Sequence, residues 1–236
     1  MIYRLATAVL VSLFVALPTH ASATLEIAQL QACRAVSSFL IYRFEGFQPA
    51  HAERLDGDLA ALASTLALAA QQDDDLHQRQ ATLTALLRQG AGFGRTEDDM
   101  PWNYPTQLSR ALRDFLTRAQ ALGDQPSASP ALESEYLAVQ YLYRAYTGLF
   151  ELAQEQQQLY LGQDERRLVP AIDAQLDALP AAQASTLKPR WRFLRAAFND
   201  MNSQSGAIST VSHRPFAPLI VDRNTRLFSE QYLQLN

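Results

Sequence analysis

Apolar side chains recur at steps of three and four residues along most of this chain, which is the spacing of amphipathic helices. The pattern is broadest from Ala131 to Leu161, a stretch with no proline and one internal glycine, Gly148. Two apolar stripes lie side by side there, and together they make a face wider than a surface helix needs. We therefore predict a long central helix over 131–161, with neighbouring helices on most sides. Its polar residues keep only a narrow opposite strip: Glu133, Gln140, Arg144, Glu151 and Glu155.

Shorter helical patterns occupy most of the remaining chain. They are predicted from Thr24 to Glu45, Pro49 to about Gln72, Asp73 to Gly90, Thr106 to Leu122, Asp164 to Leu179, from Ser185 onward, and from Leu219 to Leu235. No internal repeat of about 34 or 40 residues is present, so a helical solenoid is not supported. The sequence thus predicts an all-α fold, a single-domain bundle of about seven or eight helices around the long central helix at 131–161.

Three consecutive carboxylates, Asp73, Asp74 and Asp75, mark the start of the third helix. Carboxylates at a helix N-terminus accept hydrogen bonds from free N–H groups and oppose the helix dipole. Metal binding is the alternative interpretation, but no further ligand residues accompany the triplet. We therefore predict a capping role.

The first 23 residues have the parts of a secretory signal peptide. Arg4 supplies a positive charge, residues 5–17 form an apolar run, Pro18 is expected to break the helix, and small residues occupy 21–23. The apolar run of 13 residues is shorter than the roughly 17 to 25 residues of a membrane-spanning helix. We predict that residues 1–23 are a cleaved signal peptide. Residues 24–236 then form a mature helical-bundle domain, periplasmic or secreted after cleavage near Ala23.

Charge argues against one class of partner. The chain carries 20 basic and 24 acidic residues, for a net charge of −4. The balance is uneven, because residues 188–236 hold seven basic and three acidic side chains while residues 24–187 are strongly acidic. Generic nucleic-acid binding relies on a basic surface, so we expect no nucleic-acid partner.

Cys33 is the only cysteine, and an intramolecular disulfide is therefore impossible. It falls within an apolar helical pattern, which favours a buried thiol. An intermolecular disulfide is the alternative.

The least regular segment runs from Gly90 to Pro105. It is longer than the usual connection of about 4 to 6 residues, and long loops are often functional. It concentrates aromatic and charged side chains. We expect a ligand or partner surface here, with a simple loop between two helices as the alternative; the candidate residues are Phe93, Arg95, Trp102 and Tyr104.

The central helix supplies a second group of candidates, Tyr143, Arg144 and Tyr146. Tyrosine combines an apolar ring with a polar tip, as ligand pockets and interfaces use. A tyrosine stripe at helical spacing more often belongs to a core. Arg144 would be satisfied by an anion or by a carboxylate partner.

Basic residues cluster on the helix that begins at Ser185. They are Lys188, Arg190, Arg192 and Arg195. Basic amphipathic helices can lie on anionic membranes or contact acidic partners. We favour an ordinary peripheral helix, with its arginines solvated or paired to the acidic bundle, because the whole domain is acidic.

Motifs of catalysis and metal binding were searched for without a match. The chain has no HExxH, no ExxH of di-iron bundles, no CxxCH, no GxSxG and no Walker A sequence. No catalytic residue, metal ligand or cofactor is assigned. Two pairs of carboxylates lie two positions apart on predicted helices, and we expect solvated charges at both: Asp56 with Asp58, and Glu133 with Glu135.

These observations favour an exported, soluble, non-catalytic helical protein that acts through contacts with a protein partner or a small ligand. An enzyme with an inter-helix site near Tyr143, Arg144 and Tyr146 is one alternative. Peripheral association with a membrane surface through the basic helix at 188–198 is another.

Overall fold

Eight α-helices account for most of the described chain. The computed structural model describes residues 18–69, 73–123, 128–148, 150, 160–205 and 208–235. The helices are α1 (Pro18–Phe44), α2 (Pro49–Ala69), α3 (Asp74–Ala91), α4 (Tyr104–Leu122), α5 (Pro130–Tyr146), α6 (Glu165–Asp177), α7 (Ala181–Asn199) and α8 (Pro218–Leu233), with a short 3-10 helix at Glu97–Asp99. These ranges contain no strand. The predicted all-α fold is confirmed.

Helices α1 and α5 form the centre of the bundle. α1 packs against α2, α4 and α5, while α5 also contacts α6 and α8. α3 lies against α4, and α7 joins α6 to α8, so the helices share one hydrophobic core. Every residue of α5 from Pro130 to Arg144 is buried. The prediction that neighbours surround this helix on most sides is therefore confirmed.

The central helix is shorter than the predicted 131–161. It ends at Tyr146, where the N–H of Thr147 donates to the carbonyl of Tyr143. Gly148 follows with a φ of +78°, a left-handed conformation that glycine adopts readily and that ends a helix. The rest of the predicted helix, including Glu151 and Glu155, falls in residues 151–159, outside the described residues.

The polar strip of α5 is buried as well, contrary to the ordinary pattern of a helix with one polar face. Gln140 donates from Nε2 to the carbonyl of Gln163 at 2.9 Å. Glu133 accepts a hydrogen bond of 2.9 Å from Gln175 of α6. Because α6 packs over this side of α5, its polar groups require protein partners instead of water.

Several helix ends differ from the prediction. Pro18 does not break a helix but starts α1, since proline is tolerated in a first turn where its missing N–H has no partner to lose. The apolar run at 5–17 lies outside the described residues. α7 begins at Ala181, directly after Pro180, and not at Ser185.

Two local predictions are confirmed. The carboxylate of Asp73 accepts the N–H of Leu76 at 2.7 Å and caps α3. It also pairs with Arg118 of α4, and that hydrogen bond is the main reason why the pKa of Asp73 is lowered. Cys33 is fully buried in α1, and burial raises the pKa of its thiol.

A buried network of charges joins α1, α2 and α8 through Arg226. Its guanidinium donates to both carboxylate oxygens of Asp58, at 3.0 and 2.7 Å, and to Asp222 at 3.2 Å. It also donates to Ser38 at 2.8 Å. Burial disfavours the charge of Arg226, but Asp58 and Asp222 outweigh that effect and raise its pKa. The expectation that Asp58 is a solvated charge is therefore wrong.

Glu135 extends this network to α5. Its Oε1 accepts hydrogen bonds from Arg34 Nε at 2.8 Å and from Ser229 at 2.5 Å. Burial raises the pKa of Glu135, and the charges of Arg34 and Arg226 oppose the rise. Glu135 is 1% exposed, so the prediction of a solvated carboxylate fails here too. Two arginines from α1 and α8 face this position and make a buried carboxylate tolerable.

We predict that Arg226→Ala lowers the free energy of unfolding by about 3 to 5 kcal/mol, because it leaves the carboxylates of Asp58 and Asp222 buried with less compensation. Urea denaturation followed by circular dichroism measures the change. Arg223→Ala is the matched control, an exposed arginine on the same helix, and it should change stability by less than about 0.5 kcal/mol. Equal stabilities of the two variants would contradict the structural role of the network.

A second prediction concerns Glu133. Burial raises its pKa to about 8, the hydrogen bond from Gln175 opposes the rise, and the charge of Glu26 adds to it. In the unfolded chain the carboxyl titrates near 4.5, so between pH 4.5 and 8 the unfolded state binds fewer protons than the folded state. Stability should therefore fall as pH rises through this window, by an amount on the order of a few kcal/mol.

Glu133→Gln removes the titrating group and should become more stabilising, relative to the wild type, between pH 5 and pH 8.5. Urea denaturation at both pH values gives the difference. Glu53→Gln, at an exposed position of α2, should show no such pH dependence. A stability difference for Glu133→Gln that stays constant with pH would rule out the proposed titration.

Candidate functional site

A cleft of about 640 Å³ opens where α1 ends. Its walls come from the end of α1 and the turn after it, from the segment between α3 and α4, from the start of α4, and from the end of α5. Volumes of about 300 to 1,000 Å³ are typical of small-molecule sites. Among the pockets of the described residues, this cleft brings together the most of the candidate residues from the sequence.

The turn after α1 is conformationally unusual. Gly46 and Phe47 both have positive φ, at 90° and 55°. For a residue with a side chain this conformation costs about 1 to 3 kcal/mol and persists only where the surroundings enforce it. The N–H of Phe47 donates to the carbonyl of Tyr42 at 3.0 Å, and their rings meet edge to face with centroids 5.5 Å apart. The turn thus holds the Phe47 ring at the cleft.

Two guanidinium groups lie against the Phe47 ring. The central carbon of Arg43 is 4.9 Å from the ring centroid, and that of Arg95 is 5.4 Å away. Cation–π attraction accounts for both contacts, since each distance is within about 6 Å. Arg43 is held deeper, where its Nη1 donates to the carbonyl of Phe93 at 2.8 Å. Burial lowers the pKa of Arg43, and the charge of Asp99 opposes that effect.

Aromatic side chains supply most of the remaining surface. Trp102 is 92% exposed, the largest exposed fraction among the large apolar side chains that the structure describes. The rings of Phe44 and Tyr146 stack in parallel, with centroids 5.0 Å apart and an interplanar angle of 11°. The Tyr146 hydroxyl donates to Glu45 at 2.7 Å. Burial, and then this hydrogen bond, raises the pKa of Tyr146, so the phenol keeps its proton at neutral pH.

The segment between α3 and α4 is held in place by its own contacts. Asp99 accepts hydrogen bonds from the N–H and the hydroxyl of Thr96, at 2.8 and 2.7 Å, and these lower the pKa of its carboxyl. Below the segment, the Tyr104 hydroxyl donates to the carbonyl of Leu86 at 2.7 Å. A side chain at Gly90 would overlap the Tyr104 ring and hydroxyl. Glycine is required there because Tyr104 packs directly on the backbone of α3.

The structure brings only part of the predicted site together. Arg95, Trp102 and Tyr146 line the cleft, although they lie far apart in sequence. Phe93 and Tyr104 lie beneath it, where their rings meet edge to face with centroids 5.0 Å apart.

The other two candidates of the central helix lie elsewhere. Tyr143 is fully buried, and its hydroxyl donates to the carbonyl of Pro105 at 3.3 Å. Arg144 donates to the carbonyls of Gly148 and Ser205, at 3.1 and 2.6 Å. Its expected anionic partner is thus replaced by backbone oxygens. Tyr143, Arg144 and Tyr146 do not converge on one inter-helix site, because consecutive positions of a helix face different neighbours.

Sequence reasoning missed Arg43, Phe44 and Phe47. They belong to the run YRFEGF at the end of the first predicted helix. Three aromatic residues and an arginine around a helix-ending glycine were the available signal. The helical period assigned this run to a helix end, and nothing local indicated that the 90–105 segment would fold against it.

The basic residues of α7 form a separate surface. Lys188 pairs with Asp177 at 2.8 Å, and Arg195 pairs with Asp173 at the same distance. Arg192 is exposed, and Arg190 is partly buried. Acidic residues of α6 therefore neutralise part of the predicted membrane or acidic-partner surface. Membrane association through this helix remains a prediction.

Two further findings concern the described part of the chain. No helix there is both long and apolar enough to cross a bilayer. No group of three or more His, Cys, Asp and Glu side chains is arranged to hold a metal ion within those residues. Comparisons with protein-family models, curated proteins and solved structures find no match for this chain.

Proposed function

We propose that this protein binds a small, partly aromatic ligand in the cleft at the end of α1. The observation that carries the proposal is the exposure of Trp102 at the edge of a cleft that is already lined by the stacked rings of Phe44 and Tyr146. Exposed aromatic surface beside a cleft of this size is typical of ligand sites.

The construction of the cleft supports the same function. Phe47 holds a strained backbone conformation there, and strain of this kind tends to occur at ligand-binding positions. The floor is rigid, since Tyr104 packs on Gly90 and bonds to Leu86. A rigid floor with an exposed aromatic rim suits binding with little reorganisation of the protein.

The aromatic walls and the paired arginines describe a binding site more closely than a catalytic one. Arg43 and Tyr146 already bond to Phe93 and Glu45, and the pKa of Tyr146 is raised. The cleft thus offers shape and charge, without a base poised near neutral pH. An interaction with a protein partner stays a prediction, as does the inter-helix enzyme.

Export completes the proposal on sequence grounds. The first 23 residues carry a basic start, an apolar run and small residues before Thr24. Cleavage after Ala23 would leave α1 from Thr24 to Phe44, which includes all of its contribution to the cleft. The ligand would then be met in the periplasm or outside the cell.

Trp102→Ala should weaken binding of a neutral flat probe, 2-naphthamide, at least fivefold, because stacking on an aromatic ring contributes about 0.5 to 1.5 kcal/mol beyond buried area. Isothermal titration calorimetry of the full chain measures the dissociation constant. Phe193→Ala is the matched control, since Phe193 is an exposed aromatic residue of α7 outside the cleft. It should change affinity less than twofold. Absence of binding by the wild type, or equal loss in both variants, would overturn the proposal.

The export part has its own measurement. Intact-mass spectrometry of protein recovered from the periplasm of an expressing bacterium should give the mass of residues 24–236, since the small residues at 21–23 favour cleavage there. Retention of Met1, or recovery only from the cytoplasm, would contradict export.

A further inference from the structure

We propose that Arg43 and Arg95 form an anion subsite in this cleft, and that the ligand is a flat aromatic monocarboxylate. The inference rests on the proposed ligand-binding function and adds the chemical class of the ligand. The carboxylate would contact the two guanidinium groups, while the ring would lie against Trp102 and the stacked pair of Phe44 and Tyr146.

Arg43 is a buried cation with unused hydrogen-bonding capacity. Its residue surface is 6% exposed, and a guanidinium has five N–H donors. The structure gives it one hydrogen bond, from Nη1 to the carbonyl of Phe93. No described carboxylate forms an ion pair with it. Since a buried charge requires compensation and Arg43 lines the cleft, its remaining donors suit an incoming anion.

Arg95 brings a second positive charge to the same ring. Both guanidinium groups contact Phe47, so two like charges are close neighbours at one wall of the cleft. Arg95 makes no hydrogen bond or ion pair with another side chain that the structure describes. An anion that contacts both groups would relieve their repulsion and gain charge-assisted hydrogen bonds, for which the planar guanidinium is well suited.

The charge of the cleft favours a monoanion. Its described lining holds two arginines and one carboxylate, Asp98, which leaves one net positive charge. Asp99 lies nearby and already accepts hydrogen bonds from Thr96. A carboxylate would balance this charge, whereas a dianionic phosphate would exceed it. The aromatic walls then call for a flat ring attached to the carboxylate.

The test compares three probes of the same shape on the full chain by isothermal titration calorimetry: 2-naphthoate, neutral 2-naphthamide and 2-naphthyl phosphate. The wild type should bind the carboxylate about tenfold more tightly than the amide, because charge-assisted hydrogen bonds are about twice as strong as neutral ones. It should also prefer the carboxylate to the phosphate.

Arg95→Gln should reduce the preference for carboxylate over amide to within about twofold while leaving amide binding unchanged. Arg192→Gln, at an exposed arginine of α7 outside the cleft, should keep the wild-type preference. Arg43→Lys keeps the charge and removes the planar fork, so it should weaken naphthoate at least threefold at constant affinity for naphthamide. Unchanged amide binding reports that the cleft itself is intact.

Equal affinity of the wild type for naphthoate and naphthamide would overturn the anion subsite and leave the ligand-binding function standing. Tighter binding of the phosphate would overturn the assignment to a monocarboxylate. Failure of all three probes to bind would overturn both proposals. Loss of preference in Arg192→Gln as well as in Arg95→Gln would mean that overall charge, and not this site, selects the anion.

Discussion

The carboxylate of Glu135 lies in the middle of the bundle, and one of its oxygens accepts hydrogen bonds from both α1 and α8. A buried carboxylate is tolerated only where cations and donors surround it, so the positions of Arg34 and Ser229 are constrained together. Arg226 extends the constraint to α2 through Asp58. Four helices are thereby fixed in relative rotation as well as in distance, because an ion pair has directional hydrogen bonds that apolar contacts lack.

This constraint reaches the cleft through α1. The helix that carries Arg34 in its middle carries Arg43, Phe44 and Phe47 at and beyond its end. Its register against α5 sets which ring Phe44 meets, namely Tyr146. Most of the molecule follows local preferences, with caps, buried stripes and satisfied polar groups. The cleft departs from them in three ways: a strained phenylalanine, two neighbouring arginines and an exposed tryptophan. Departures of this kind concentrate at functional sites.

The sequence predicted the helices well where a local signal existed. Asp73 caps α3 as expected, since a cap depends on residues within one turn. The surroundings of α5 were predicted for the same reason, because two adjacent apolar stripes require neighbours. The end of α5 was missed: Gly148 is a single glycine inside an unbroken apolar period, and helix-compatible residues follow it. Asp58 and Glu135 were placed in solvent because their partners come from distant helices.

By itself, the sequence determined the all-α class, the approximate helices and the buried thiol of Cys33, because periodicity and composition act over a few residues. It also singled out Arg95, Trp102 and Tyr146 as unusual. Only the tertiary structure decided that these three share one cleft with Arg43 and Phe47, and that Arg144 turns away to backbone carbonyls. The pairing of Arg226 with Asp58 spans 168 positions of sequence. Such contacts depend on how helices pack, and packing is selected by the whole core at once and not by any one stretch of the chain.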